Sequence, residues 1–231
     1  MEPAPRSNPF TPYGPWSTIA LAWAVIMGST ILAWSLLLMV NVKPDGVTPD
    51  NATFAYSILA NLIGIAAIAK LADIRAPGRT ASYLALRPFV SGAAWFWIGT
   101  AAAFYAVDWT VEVVVREALD FPAPPNWLDG AVLGPMMLLS IILVGPIFEE
   151  LMFRGFVMEG LMPTRLGQSG ALALSTLAWT LLHSEYDALS LTLVFATGVI
   201  FGLARLATGS LYLSILLHMG WNAAWILQEY A

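Results

Sequence analysis

Seven stretches of this chain carry no charged side chain: 17–42, 52–69, 88–107, 130–148, 166–182, 188–204 and 206–228, the last interrupted only by His218. Each is close to the roughly 20 residues an α-helix needs to cross the hydrocarbon of a bilayer, whereas a membrane β-barrel shows alternating segments of about ten. The pattern predicts an all-α fold, a polytopic transmembrane helix bundle of about seven spans. A water-soluble globule is excluded, because 58% of the 231 residues are hydrophobic and only 11% are charged, against roughly 25% charged in soluble domains. The length is that of one domain, read as a Pro-rich tail over residues 1–15 and a single transmembrane domain over 16–231.

The tail, with Pro3, Pro5, Pro9, Pro12 and Pro15, is expected to be extended, and Phe121–Pro125 (FPAPP) to be an interhelical loop. The first apolar run is longer than a signal-peptide core and precedes no A-x-A cleavage pattern before Lys43, so it is expected to remain as a helix. Placing the N-terminus in the cytoplasm puts Arg6, Lys70, Arg75, Arg79, Arg87, Arg165 and Arg205 on that side and only Lys43 and Arg116 on the other. That is the asymmetry of the positive-inside rule, and seven spans then carry the C-terminus outside. The chain is thereby predicted to be an integral, multi-pass membrane protein. It has no Cys, which excludes disulfides, thiolate metal sites and a Cys nucleophile. A net charge of −5 with no basic stripe excludes a nucleic-acid partner.

An ionisable group inside a span costs about 2.5–3.5 kcal/mol at the helix centre on insertion scales, so each one is a candidate for function. Three places qualify: Glu149, Glu150 and Arg154 in the fourth span, His183 at the end of the fifth, and His218 with Asn222 in the seventh. Measured from the cytoplasmic helix ends at 1.5 Å per residue, Glu149 lies about 18 Å deep, His183 about 21 Å, His218 about 12 Å and Asn222 about 18 Å. Antiparallel neighbours can therefore present them to one polar cavity, which is expected to open toward the cytoplasm. The chain has only two histidines, and both fall in this layer.

Helical spacing assigns roles. Glu150 and Arg154 are four apart with the acid first, the better order for an ion pair. Glu149 points about 100° away from Glu150 and is left as the carboxylate suited to act as a general base. His218 and Asn222 share a face and can both donate to a developing oxyanion. Trp179, four before His183, is placed to wall the cavity. Pro146, three before Glu149, removes a backbone hydrogen bond and predicts a kink that makes room beside the acid.

Other ways of cutting peptides within a membrane lack their groups here: there is no H-E-x-x-H, no Gly-Ser-Gly-type serine on a span, and no two spans each offering an Asp. The order E-E-x-x-x-R (Glu149, Glu150, Arg154), then W-x-x-x-H (Trp179 to His183), then H-x-x-x-N (His218 to Asn222) on successive helices resembles the CPBP family. These are the CAAX proteases and bacteriocin-processing enzymes, including the type 2 CAAX prenyl endopeptidases. The resemblance covers about residues 144–225, and Trp179 stands where that family more often has Phe. It implies an intramembrane endopeptidase in which Glu149 activates water with help from His183, His218 and Asn222 form the oxyanion site, and Glu150 and Arg154 support the cavity.

The expected reaction is hydrolysis of a peptide bond in a membrane-associated or lipid-modified substrate, with the bilayer as the protein's other partner and no cofactor required. Two rival readings use the same residues. One inserts Zn²⁺ between Glu149, His183 and His218, a His₂Glu set. The other is a non-enzymatic scaffold, immunity factor or proton-coupled carrier; a carrier should show two related halves with broken helices, and no such symmetry is visible.

Overall fold

The computed structural model describes residues 14–40, 42, 49–120, 128 and 130–230; the tail through residue 13, the 121–125 loop and Arg6, Lys43, Trp127 and Asp129 lie outside the described residues. Among the described residues the regular structure is helical, without strands. The helices are α1 (Pro15–Met39), α2 (Asn51–Arg75), the short α3 (Thr80–Tyr83), α4 (Ser91–Leu119), α5 (Pro135–Leu161), α6 (Gly167–Thr180, continued by one 3₁₀ turn to His183), α7 (Ala188–Thr208) and α8 (Leu211–Tyr230).

Five of them, α1, α2, α4, α5 and α7, have the length and apolar composition to cross a membrane. The other two expected spans form helices of a different kind. α6 has 14 residues, about 21 Å of rise against a hydrocarbon core of about 30 Å. α8 has 20 residues, long enough, but His218, Asn222, Gln228 and Glu229 dilute its apolar character. Trp16, Ile31, Trp95, Phe96, Val132 and Leu227 stand exposed on the outside of the bundle. Such a surface suits lipid and not water, and the chain is an integral membrane protein.

Local chemistry sets the helix ends. The Asp50 side chain accepts from the Thr53 amide to start α2, and that of Asp187 accepts from the Leu189 and Ser190 amides to start α7. Gly209, at φ +67°, closes α7 in the left-handed conformation that glycine adopts without strain, so the chain turns into α8 within two residues. The Leu211 amide donates to the Ala85 carbonyl, so the segment after α3 meets the start of α8.

α5 is the centre. More than half of its most apolar stretch is buried, against 6% for α4. It packs on α1, α2, α6 and α8, while α7 joins α6, α8 and α4. Phe156, Met152, Met158, Ile68, Leu84 and Leu211 fill the main core. α2 and α5 approach closely at Gly64, where a Cβ would stand 2.4 Å from the Phe148 ring. Pro146 does disturb α5, through changed winding: the helix is π-helical over Leu139–Val144 and again over Leu151–Val157, on either side of an α-helical Gly145–Glu150. In π winding the Ile141 carbonyl would accept from residue 146, and a proline has no N–H to give. Asn222 Nδ2 supplies the missing donor at 2.9 Å.

Candidate active site

A cavity of about 780 Å³ lies among the described residues, and Glu149, Trp179, His183, His218 and Asn222 all line it. Glu150 and Arg154 lie behind its wall with no exposed surface. The seven side chains come from α5, α6 and α8, the helices that the sequence motifs single out.

Glu149 is about a quarter exposed and faces the cavity. Its Oε2 accepts from Trp179 Nε1 at 2.6 Å and lies 3.8 Å from His218 Nε2. Trp179 is therefore a hydrogen-bond partner of the carboxylate as well as a wall. Glu150 pairs with Arg154 at 2.9 Å, as the four-residue spacing requires, and the same Oε1 lies 3.0 Å from His218 Nδ1. An ionised Glu150 accepts from that nitrogen, which turns Nε2 toward Glu149 and the cavity. The imidazole is held between a stacked Phe201 ring at 5.2 Å and an edge-on Trp179 at 5.6 Å.

Arg154 has three contacts: Glu150, the Gly198 carbonyl at 3.0 Å, and the face of Trp179 at 4.5 Å. Gly198 was not apparent from the sequence. It sits where α7 crosses Arg154 and Trp179, and a Cβ there would stand 2.8 Å from each. His183 occupies the 3₁₀ turn, with Nδ1 3.1 Å from its own helix's Trp179 carbonyl and its ring against Trp179 and Tyr186. It lines the same cavity without a direct bond to Glu149. One Asn222 N–H is committed to Ile141, which leaves the other N–H and the carbonyl oxygen for the cavity.

The zinc reading does not fit. Glu149, His183 and His218 make no convergent ligand set, and no group of three acidic or histidine side chains among the described residues does.

The mouth of the cavity is formed by the start of α2, the end of α4, the start of α7 and the end of α8. There Arg116 pairs with Glu112 and, at 2.7 Å, with Asp187, and donates to Ser190, tying α4 to α7. Partial burial raises the Asp187 carboxyl, but the Ser190 amide and Arg116 outweigh it and hold the group below its usual range. Lys70, Arg75, Arg79, Arg87, Arg165 and Arg205 all lie toward the opposite end of the bundle, where Arg75 meets Thr18 near the start of α1. A cytoplasmic N-terminus and a cytoplasm-facing mouth are both expected from the sequence; the lining residues near helix ends lie at the end of the bundle away from the start of α1. Depth along the helices carried no information about which end of the cavity is open.

Residues 131–224 match the family described as type II CAAX prenyl endopeptidase Rce1-like, and the three motifs, from Glu149 to Asn222, fall inside that range. An uncharacterized 24.3 kDa protein of Escherichia coli is 32% identical over 123 residues, covering 49% of this chain. The chain spans little more than half of that relative's length, 56%. No solved structure matches the chain.

Proposed function

We propose that this chain, which belongs to the Rce1-like type II CAAX prenyl endopeptidase family through residues 131–224, is an intramembrane endopeptidase. The observation that carries the reading is the placement of Glu149: anchored by Trp179 through Oε2, 3.8 Å from His218, and open to a cavity large enough for a short peptide.

Glu149 deprotonates a water in the cavity, and His183 orients that water from the neighbouring wall. The hydroxide adds to the peptide carbonyl. His218, whose Nδ1 faces Glu150 and whose Nε2 faces Glu149 and the cavity, donates from Nε2–H to the resulting oxyanion, and the free N–H of Asn222 adds a second donor. Glu149, now protonated, passes its proton to the leaving amine. Nothing in this sequence needs a covalent intermediate. Glu150 and Arg154 act through other groups: the first sets the orientation of His218, the second fixes Glu150 and the Trp179 ring.

The substrate is a membrane-anchored or lipid-modified peptide. With the basic end in the cytoplasm, as the loop charges favour, its cleaved bond enters from the opposite face.

The test compares membrane peptidomes of cells carrying wild type and Glu149→Gln, which keeps shape and removes the base. A full-length substrate that accumulates only in the variant supports the reading. Cleavage at wild-type rates by Glu149→Gln overturns it, and persistence of the cellular function after Glu149 and His183 are both replaced favours a scaffold.

A further inference from the structure

An extended peptide that lies at bilayer depth brings backbone N–H and C=O groups which water does not reach, so the cavity wall must satisfy them. The motif residues all act at the scissile bond. Beside them, α2, which packs on α5 and lies outside the matched segment, presents Thr53, Ser57 and Asn61 to the cavity.

These three are four residues apart in turn, so they form one row with a rise of about 6 Å per step. Every second residue of an extended strand presents its backbone groups to the same side at about 6.6–6.8 Å. The two repeats differ by less than 1 Å per step. The hydrogen-bonding state of the row also suits the task. Thr53 donates its hydroxyl to Asp50 and keeps an acceptor; Ser57 accepts from Ser140 at 3.0 Å and keeps its own proton to donate. Asn61 has no hydrogen-bond partner among the described residues, although it lies within an apolar span. A carboxamide offers one acceptor and donors side by side, the complement of one residue's backbone N–H and C=O.

The row also has a register. A Cβ on Gly145 would stand 3.9 Å from Asn61 Nδ2, and Ser57 bonds Ser140. Asn61 is therefore level with Gly145, one turn of α5, about 6 Å, from Glu149 toward the mouth. Along an extended chain that distance is two residues.

We infer that Asn61 binds the substrate backbone two residues from the scissile bond, and that the Asn61–Ser57–Thr53 row guides an extended peptide from the mouth to Glu149. The inference rests on the endopeptidase reading and adds the conformation of the substrate and a contact from the N-terminal half.

The test uses purified full-length protein and a farnesylated C-terminal peptide with a fluorophore and quencher across the cleaved bond, N-methylated in turn at each backbone amide within three residues of that bond. For wild type, one methyl two residues from the bond is expected to lower kcat/KM about ten-fold, the loss of one hydrogen bond at a site shielded from water. In Asn61→Leu and Asn61→Ala, kcat/KM for the unmethylated peptide falls by a similar factor and that methyl costs nothing more. A flat methylation profile in wild type, or a penalty that survives in both variants, overturns the inference. If wild type cleaves, Glu149→Gln does not, and the profile is flat, the inference alone fails. If wild type neither cleaves nor binds the peptide, the endopeptidase reading fails with it.

Discussion

Glu150 and Arg154 pose a sharp energetic question, because both are fully buried and Glu150 also holds His218. Replacing Glu150 with Gln removes the carboxylate paired with Arg154 and leaves the guanidinium a neutral amide oxygen, the Gly198 carbonyl and the Trp179 face. Replacing Arg154 with Met leaves a buried carboxylate with only His218, and its Oε2 already lacks a partner. Each single change strands a charge and should cost about 3–5 kcal/mol of stability. The double variant Glu150→Gln/Arg154→Met strands none. It loses the Gly198 bond and weakens the His218 bond, so it should lie within about 2 kcal/mol of wild type. Unfolding of the purified proteins in detergent micelles measures all four corners of the cycle, with a coupling of at least about 4 kcal/mol expected. Peptide cleavage should not follow stability. The double variant is expected to stay down by about 100-fold, the scale of losing one oxyanion donor, because His218 Nδ1 no longer meets a carboxylate. Additive stability losses would refute the buried pair, and recovery of activity in the double variant would refute Glu150 as the residue that positions His218.

Gly198→Ala should lower activity with the chain still folded, since the new methyl pushes on Arg154 and Trp179 at a cost of about 1–3 kcal/mol; an unchanged melting temperature and rate would count against the crossing at that point. Trp179→Phe removes the donor to Glu149 and is expected to cut kcat about ten-fold, with a shifted pH profile, whereas equal profiles would mean that the indole N–H is idle. The Asp187 carboxyl is held below its unfolded value near 3.8, so it stabilises the fold above that pH and the contribution disappears as the pH falls through the lower folded value. Melting curves of wild type should steepen downward below about pH 4, and those of Asp187→Asn should lack that part of the slope. Because the chain has no Cys, single substitutions report topology cleanly: Ser82→Cys and Thr164→Cys should react from the cytoplasmic side and Glu117→Cys and Glu185→Cys from the other, and the reverse result would place the mouth in the cytoplasm.

The helices were legible because charge in a span is costly, and the exceptions show where that rule loses force. The uncharged run that ends at Val107 underestimates α4, which continues to Leu119. Asp108 and Glu112 turn toward the cavity, and Arg116 is absorbed by Glu112, Asp187 and Ser190, so these charges do not face lipid. The spacing of Glu150 and Arg154 foretold their pairing, since one helix determines it. Contacts that depend on how two helices meet were invisible: the Gly198 carbonyl on Arg154, the Trp179 indole on Glu149, and Asn61 across from Gly145. Asn61 did leave a trace, a carboxamide within an apolar span, but being uncharged it does not carry the burial cost that marks an ionisable group there.

Asn222 shows how a backbone defect and an active site can share one residue. Pro146 cannot satisfy the Ile141 carbonyl, and an unpaired carbonyl at membrane depth is expensive. The Asn222 amide that cancels the defect is thereby fixed in orientation, with its second N–H directed at the cavity. A side chain left free to rotate would pay entropy each time it met an oxyanion; one already tethered does not. Asn222→Asp should impair both duties. A carboxylate offers no N–H to Ile141, so both the helix and the site suffer. Asn222→Ala combined with replacement of Pro146 by a residue that has its own N–H should regain stability but not rate. If that pair regained both, the amide would serve only the helix, and the oxyanion would rest on His218 alone.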